Sequence, residues 1–230
     1  MSRSFEDFRK DVLVSVEEMC RTFYSGNREA FKVKKESLVV KNLEAIMNSA
    51  LKLSNETGFQ SMSLRELSRE SGLSMGALYT YFSSKEELLK MIHSQARQVA
   101  MEILVRETAA EAGVHERLKR AILTHLYLSE IMKHWFCFFF METKNLKPED
   151  RKIPRESELD TEQIFIDILD EGVGLGIYAI EDTILAGAMI KALLQDWYLK
   201  QWKYQRRRVG IEQYYRFTVS VVEAYVLPVG

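Results

Sequence analysis

An all-α fold is predicted by three features of the 230-residue chain. Its prolines are few, Pro148, Pro154 and Pro228, so long segments can keep every i→i−4 hydrogen bond. Apolar residues recur at steps of three and four along most of the chain, the period of a helix with one buried face. Capping-box spacing precedes two of these runs, at Ser63 to Glu66 and at Ser84 to Glu87; there a hydroxyl and a carboxylate each satisfy an orphan backbone N–H.

Composition narrows the class. At 47% hydrophobic and 28% charged residues, the chain has material for one or two well-packed soluble domains. A net charge of −1 offers polyanions no global attraction, so nucleic-acid binding would need a local basic face. Cys20 and Cys137 stand far apart without a CxxC pair, which argues against a disulfide scaffold or zinc module and fits a reducing cytoplasm. The opening MSRSFEDFRKDVL has no apolar core and does not read as a signal peptide. The run from Trp135 to Met141 falls short of the roughly 20 residues that span a bilayer, so no membrane partner is expected.

Taken in order, Phe5, Phe8, Val12, Val16, Met19 and Phe23 form one apolar stripe, predicting a single amphipathic helix over 5–23. After Ser25-Gly26-Asn27, Arg28, Lys32, Lys34, Lys35 and Lys41 outnumber Glu29 and Glu36. This stretch is either a solvated linker or an arm reaching phosphates or a minor groove. A helix follows from about Leu38 to Thr57, burying Leu43, Ile46, Met47, Ala50, Leu51 and Leu53, with Gly58 placed to end it. A short helix from Leu64 to Glu70, a turn at Ser71-Gly72-Leu73, and a third helix of about seven residues capped by Ser74 come next. Ser84 opens a long fourth helix. This succession is a helix-turn-helix pattern.

Gly72-Leu73-Ser74-Met75-Gly76 also matches G-x-S-x-G, the pattern of a hydrolase nucleophile elbow. An elbow needs a buried strand before the serine, whereas SLRELSRES at 63–71 has its leucines three apart amid charges. His93, His115, His125 and His134 exist, but no alternating strands would hold a triad. Ser74 reads as a cap, and no catalytic residue is expected.

A helix this short must lean on neighbours, which assigns Leu73, Leu78 and Phe82 to the core. Ser74, Met75, Gly76, Ala77, Tyr79, Thr80 and Tyr81 then face outward. Small residues permit close approach to base edges and hydroxyls can bond phosphates. Arg65 and Lys85 flank that surface. The plainer alternative is a tyrosine pair that only covers the domain.

Residues 43–89, and most closely SMSLRELSRESGLSMGALYTYFSSKEELL, resemble the DNA-binding domain of the TetR family of bacterial transcriptional regulators. The resemblance implies an all-helical homodimer, in which three N-terminal helices grip double-stranded operator DNA and a larger C-terminal domain binds a small molecule. It would place Ser63, Arg65, Ser74, Ala77, Tyr79, Tyr81 and Lys85 against DNA. Met75 stands where the family often has Lys or Arg, removing one phosphate or guanine contact. The extension before Leu38 is longer than is typical of the family. The expected organisation is an extension and basic arm at 1–36, a helix-turn-helix domain at 37–92, and a ligand-binding and dimerisation domain at 93–230.

Beyond His115, Leu118, Ala121, Ile122, His125, Leu126 and Ser129 continue a stripe into WFCFFFMETK. That aromatic segment, apolar all round, must be core or cavity wall. Leu104, Leu126, Trp135, Phe138, Phe139, Ile168 and Trp197 are the candidate pocket residues for a small apolar effector. KNLKPEDRKIPRES at 144–157 reads as a charged loop, with a helix resuming at Ile164 and ending near Glu171. GVGLG at 172–176 has neither the preceding strand nor the spacing of a phosphate loop and reads as a helix-to-helix turn.

The last two helices, about Ile180 to Gln205 and Ile211 to Val226, are by the resemblance the homodimer interface; an intramolecular core is the alternative. Their junction holds Lys200, Lys203, Arg206, Arg207 and Arg208 without an acid and reads as a solvated helix end. Histidine spacing supports no metal site, and no cofactor is expected. The expectation is a cytoplasmic, ligand-responsive regulator, a repressor released from a pseudo-palindromic operator by an apolar molecule. A lipid-binding carrier or all-α enzyme with no DNA role is the alternative.

Overall fold

The structure, a computed structural model, describes residues 4–12, 16–31, 35–143 and 151–228. Lys32 and Lys34 of the basic stretch and 144–150 of the charged loop lie outside the described residues. Among the described residues there is no β-strand. The helices are α1 (Phe5–Asp11), α2 (Val16–Gly26), α3 (Glu36–Thr57), α4 (Leu64–Ser71), α5 (Met75–Leu78), α6 (Lys85–Ala109), α7 (Val114–Ile131), α8 (Lys133–Thr143), α9 (Lys152–Gly174), α10 (Thr183–Leu199), α11 (Gln201–Arg206) and α12 (Ile211–Val226). They fall into two compact units: a helix-turn-helix unit of residues 14–99 and 134–155, and a second unit of residues 1–13, 100–133 and 156–230.

The helix-turn-helix unit is built on α3, whose Val39, Val40, Leu43, Ile46, Met47, Ala50 and Leu51 are buried along one side. Each such aliphatic side chain contributes roughly 1.5–3 kcal/mol when fully buried. The helix stops at Gly58, where φ is +83° and the N–H closes onto the Ser54 carbonyl; a side chain would be strained in that conformation. Phe59 then turns inward and meets Phe138 of α8 edge-on, with ring centroids 5.7 Å apart. Helix α2 lies along α3, and the Cys20 thiol points at the Met47 sulfur 3.6 Å away. Burial, with help from Glu44 and Glu17, pushes that thiol up to about 12.

The single helix expected over 5–23 is two. Helix α1 closes at Val12, and its Phe5 and Phe8 pack on Tyr127 of α7 in the second unit, centroids 5.2 and 5.3 Å apart. Helix α2 buries Met19, Cys20 and Tyr24. An apolar stripe says that a face is covered, not that one partner covers all of it.

Helix α8 is not apolar-buried all round, since Phe140 is 48% exposed. Phe139 stacks on His93 of α6 at 4.0 Å, and the His93 Nε2 is buried without a hydrogen-bond partner. Burial lowers this imidazole from 6.5 to about 3. The folded state thus holds the ring neutral while the unfolded chain protonates it, so stability is lost as pH falls from 6.5 toward about 3. Exchanging His93 for Phe is expected to flatten that part of a Tm-against-pH profile, whereas a variant with the wild-type slope would mean another group sets it.

In the second unit α7 is buried through Leu118 and Ala121–Ser129. Helix α9 begins at Lys152, twelve residues before the predicted start, so 152–157 is helical where a loop was expected. Pro154 sits in the first turn, where its missing N–H has no intrahelical acceptor to lose. The same helix runs on to Gly174, and the N–H groups of Ile177 and Tyr178 both donate to the Gly172 carbonyl. A Cβ on Gly172 would lie 2.0 Å from the Tyr178 ring. The turn expected over all of GVGLG is thus confined to Leu175 and Gly176, because Gly172 to Gly174 still belong to α9.

The helix expected from Ile180 to Gln205 breaks at Lys200 into α10 and α11. Asp182 caps α10 by accepting the Leu185 N–H at 2.8 Å. The basic junction also finds an acid just upstream: Asp196 accepts from Lys200 at 2.7 Å and from Lys203 and Tyr204. Burial opposes ionisation there, but those three donors outweigh it and hold the carboxyl at about 2. Trp197, Tyr204 and Tyr214 stack beside it, with centroids 4.8 to 5.2 Å apart. Two of the junction's five cations, Lys200 and Lys203, are therefore tethered beside an aromatic cluster, and Arg206, Arg207 and Arg208 remain exposed.

Candidate nucleic-acid interface

Helix α4 begins with the predicted capping box. The Ser63 N–H donates to Glu66 Oε2 at 2.8 Å, and the Glu66 N–H donates back to Ser63 Oγ at 3.2 Å. Gly72 ends the helix in the left-handed region, φ +69° and ψ +12°, and the Ser68 hydroxyl donates to the Leu73 carbonyl at 2.5 Å to tie the turn. Ser74 then caps α5, its Oγ accepting the Ala77 N–H at 3.2 Å. Its hydroxyl is a structural acceptor, which answers the G-x-S-x-G ambiguity.

The α-helical part of α5 has four residues rather than about seven. Thr80 and Tyr81 continue with bonds to Ala77 and Leu78, three residues back; the tighter winding suits a segment too short to nucleate itself. Leu67, Leu78 and Phe82 are buried and prop it from inside, while Leu73 is half-buried. The second capping box is shared by two serines. Ser84 Oγ accepts the Glu87 N–H at 3.2 Å, but the Glu87 carboxylate reaches Ser83, taking both its N–H and its hydroxyl at 2.5 Å.

The predicted reading residues divide by environment. Ser63, Arg65, Ser74, Gly76, Tyr79 and Thr80 are exposed, and Met75, Ala77, Tyr81 and Lys85 are half-buried. Tyr79, 52% exposed, is open to a partner. The Thr80 hydroxyl donates to the Ala77 carbonyl at 2.7 Å, leaving its lone pairs outward. Tyr81 accepts from Asn42 Nδ2 at 2.9 Å and lies 6.1 Å from Phe31; burial raises its phenol above the ordinary value, so it stays a neutral donor. Lys85 donates to the Gln60 and Met62 carbonyls at 2.9 and 2.7 Å and sits 5.1 Å from the Phe59 ring centre. Burial lowers its pKa. Two of its three protons hold the loop before α4, and one remains.

Asn42, Phe31 and Glu142 were not signalled by the sequence. Buried Glu142 accepts the Phe59 N–H at 3.2 Å, locking α8 to the end of α3. Such links join residues far apart in the chain and leave no local pattern. Of the basic stretch, Arg28, Lys35 and Lys41 are exposed.

The pocket candidates do not form one group by unit. Leu104, Leu126, Ile168 and Trp197 are buried in the second unit, and Trp197 Nε1 donates to Glu130 at 2.6 Å. Trp135 and Phe138 are buried and Phe139 half-buried in the helix-turn-helix unit. Among the described residues no three His, Cys, Asp or Glu side chains gather as for a metal ion, and no helix is long and apolar enough to cross a membrane.

A capped α4, a left-handed turn and a propped α5 with an exposed small-residue and tyrosine face define a helix-turn-helix DNA-binding protein. Residues 46–92 match the model of bacterial regulatory proteins of the tetR family, and residues 111–206 match the tetracyclin repressor-like C-terminal domain. The chain belongs to the TetR family and is a DNA-binding transcriptional regulator. It is 21% identical over 193 residues to the HTH-type transcriptional regulator HbdR of Aromatoleum sp. (strain CIB), covering 84% of each chain. Its fold is similar to that of the TetR family regulator PfmR from Thermus thermophilus, with TM-score 0.63 and 26% identity, over 78% of this chain and 97% of that one. It is also similar to FadR from Bacillus subtilis in complex with stearoyl-CoA, with TM-score 0.65 and 19% identity, over 77% and 96%.

Proposed function

We propose that this chain is a cytoplasmic repressor that binds a pseudo-palindromic operator as a homodimer and leaves it when a small apolar molecule occupies the C-terminal domain. The observation that carries the reading is the division of labour on α5: Leu78 is fully buried, while Ser74, Gly76 and Tyr79 are exposed. Two such segments would lie in successive major grooves, about 34–36 Å apart. Ser63, Arg65 and Thr80 would add contacts at the edges, with Met75, Ala77, Tyr81 and Lys85 beneath them. Met75 brings no charge, so Arg28 and Lys35 of the extension and Lys41 in the first turns of α3 would supply phosphate contacts outside the groove.

The homodimer reading rests on unburied apolar surface. On α10, Ile184 and Leu185 are 63% and 66% exposed, and on α12 Phe217 and Tyr225 are 58% and 48% exposed; a paired copy of the same two helices would cover them. The effector reading is supported by the apolar interior around Leu126 and Ile168 and by the stearoyl-CoA bound to the similar FadR. Displacement requires the ligand to bind the DNA-free state more tightly.

Fluorescence anisotropy against DNA from upstream of its own gene tests this. The affinity is expected to fall steeply with salt, with a log–log slope of about −0.9 for each phosphate neutralised, and light scattering should give the mass of a dimer. Absence of salt-dependent binding would return the protein to the carrier alternative.

A further inference from the structure

One charged side chain in the second unit is buried far from the helix-turn-helix surface in the sequence and takes no part in the proposed DNA contacts. Lys191 of α10 is 3% exposed. Its Nζ lies 2.7 Å from Thr161 Oγ1 and 3.1 Å from His125 Nε2. The carboxylate within ion-pair range, Glu158, stands 3.5 Å away, beyond the roughly 2.7–2.9 Å of a charge-assisted hydrogen bond. That carboxylate is 41% exposed and takes the Gln195 amide at 2.6 Å on the same oxygen. The lysine is thus held at short range by neutral partners, while Glu158 and Glu162 act on its charge from farther off.

Around it the unit is apolar. Ile122, Leu126, Ile190 and Leu194 are fully buried, and Phe165 lies 6.3 Å from the His125 ring. One helical turn before Lys191, Gly187 meets α9 so closely that a Cβ would lie 2.6 Å from Ile166. A methionine or leucine at 191 would suit such an interior better, because an ammonium taken out of water without a closely matched anion loses its hydration uncompensated. Folding does not explain the residue.

We propose that the effector is an amphiphile with an apolar chain and a carboxylate head, and that the head docks on Lys191 with the Thr161 hydroxyl beside it. This rests on the effector reading above and names the chemistry of that ligand. An incoming carboxylate supplies the close counter-charge that Glu158 does not, and the burial that depresses the ammonium makes the new pair strong. An uncharged chain would gain only the apolar contacts.

The test pairs hexanoate, decanoate and palmitate with the alcohols of equal length, using tryptophan fluorescence for binding and anisotropy for release of operator DNA. In the wild type an acid is expected to bind at least about tenfold more tightly than its alcohol. In Lys191→Met that preference is expected to vanish while alcohol binding persists, which also shows that the variant is folded. Lys191→Arg should keep much of the preference. Equal affinity of acid and alcohol in the wild type, or a preference surviving in Lys191→Met, would overturn the assignment. Release of DNA by alcohols alone would keep the effector reading and sink the head group; no binding by either series would sink both.

Discussion

Gly76→Glu is expected to lower operator affinity at least about a hundredfold, roughly 2.7 kcal/mol, while the fold stays as stable as wild type. Gly76 is exposed, and a Cβ there would find its nearest neighbour, Ser74 Oγ, at 4.0 Å. The backbone is helical, not left-handed, so a side chain is accommodated, and glycine's roughly 1 kcal/mol helix penalty is removed. On the proposed reading the new carboxylate meets phosphates across the groove, and like charges at close range both repel and displace a favourable contact. Anisotropy at constant salt measures the loss, with thermal melting as control. Gly76→Ala should cost far less. Wild-type affinity in Gly76→Glu would show that DNA meets another face.

The second large effect concerns stability. Leu78→Ala is expected to destabilise the helix-turn-helix unit by about 2–5 kcal/mol, the usual range for removing a fully buried leucine. Leu78 is 0% exposed, and α5 has only four helical residues, too few to persist without that anchor. Urea unfolding followed by circular dichroism should show an early transition that the wild type lacks, and operator binding should be lost with it. Leu78→Met, which keeps the volume, should cost less than about 1.5 kcal/mol. A Leu78→Ala protein that unfolds with the wild-type midpoint would mean that α5 is held by its caps alone.

The features legible in the sequence were those whose cause is local. The Ser63–Glu66 box, the Ser74 cap and the end of α3 at Gly58 depend on groups within a few residues of each other, and the α3 face follows from spacing. The misread boundaries depend on distant partners. Helix α1 is set apart from α2 by what covers it, Tyr127. Helix α9 starts early because a proline is harmless in a first turn, and α10 stops at Lys200 beside the Asp196, Lys203 and Tyr204 cluster.

The candidate interface followed the same division. Its exposed positions on α5 could be read from which residues must face inward. The second occupations of Tyr81 and Lys85, on Asn42 and on the Gln60 and Met62 carbonyls, could not, because those partners come from other helices and loops. Lys191 was invisible for a related reason: at helical spacing among apolar residues, a lysine at the edge of a stripe looks like a side chain bound for solvent.

Apart from Ser74, which is both the cap and exposed, the side chains that hold α5 are different from those on its open side. Gly76 is neither a cap nor a core contact, and Tyr79 closes α5 only through its backbone N–H, so both side chains can be exchanged with little change in melting temperature. On the proposed reading, drift at those two sites in a duplicated copy of the gene would retarget it to new promoters before any compensating change elsewhere, whereas Leu78 and Ser74 would be held constant by the need to fold.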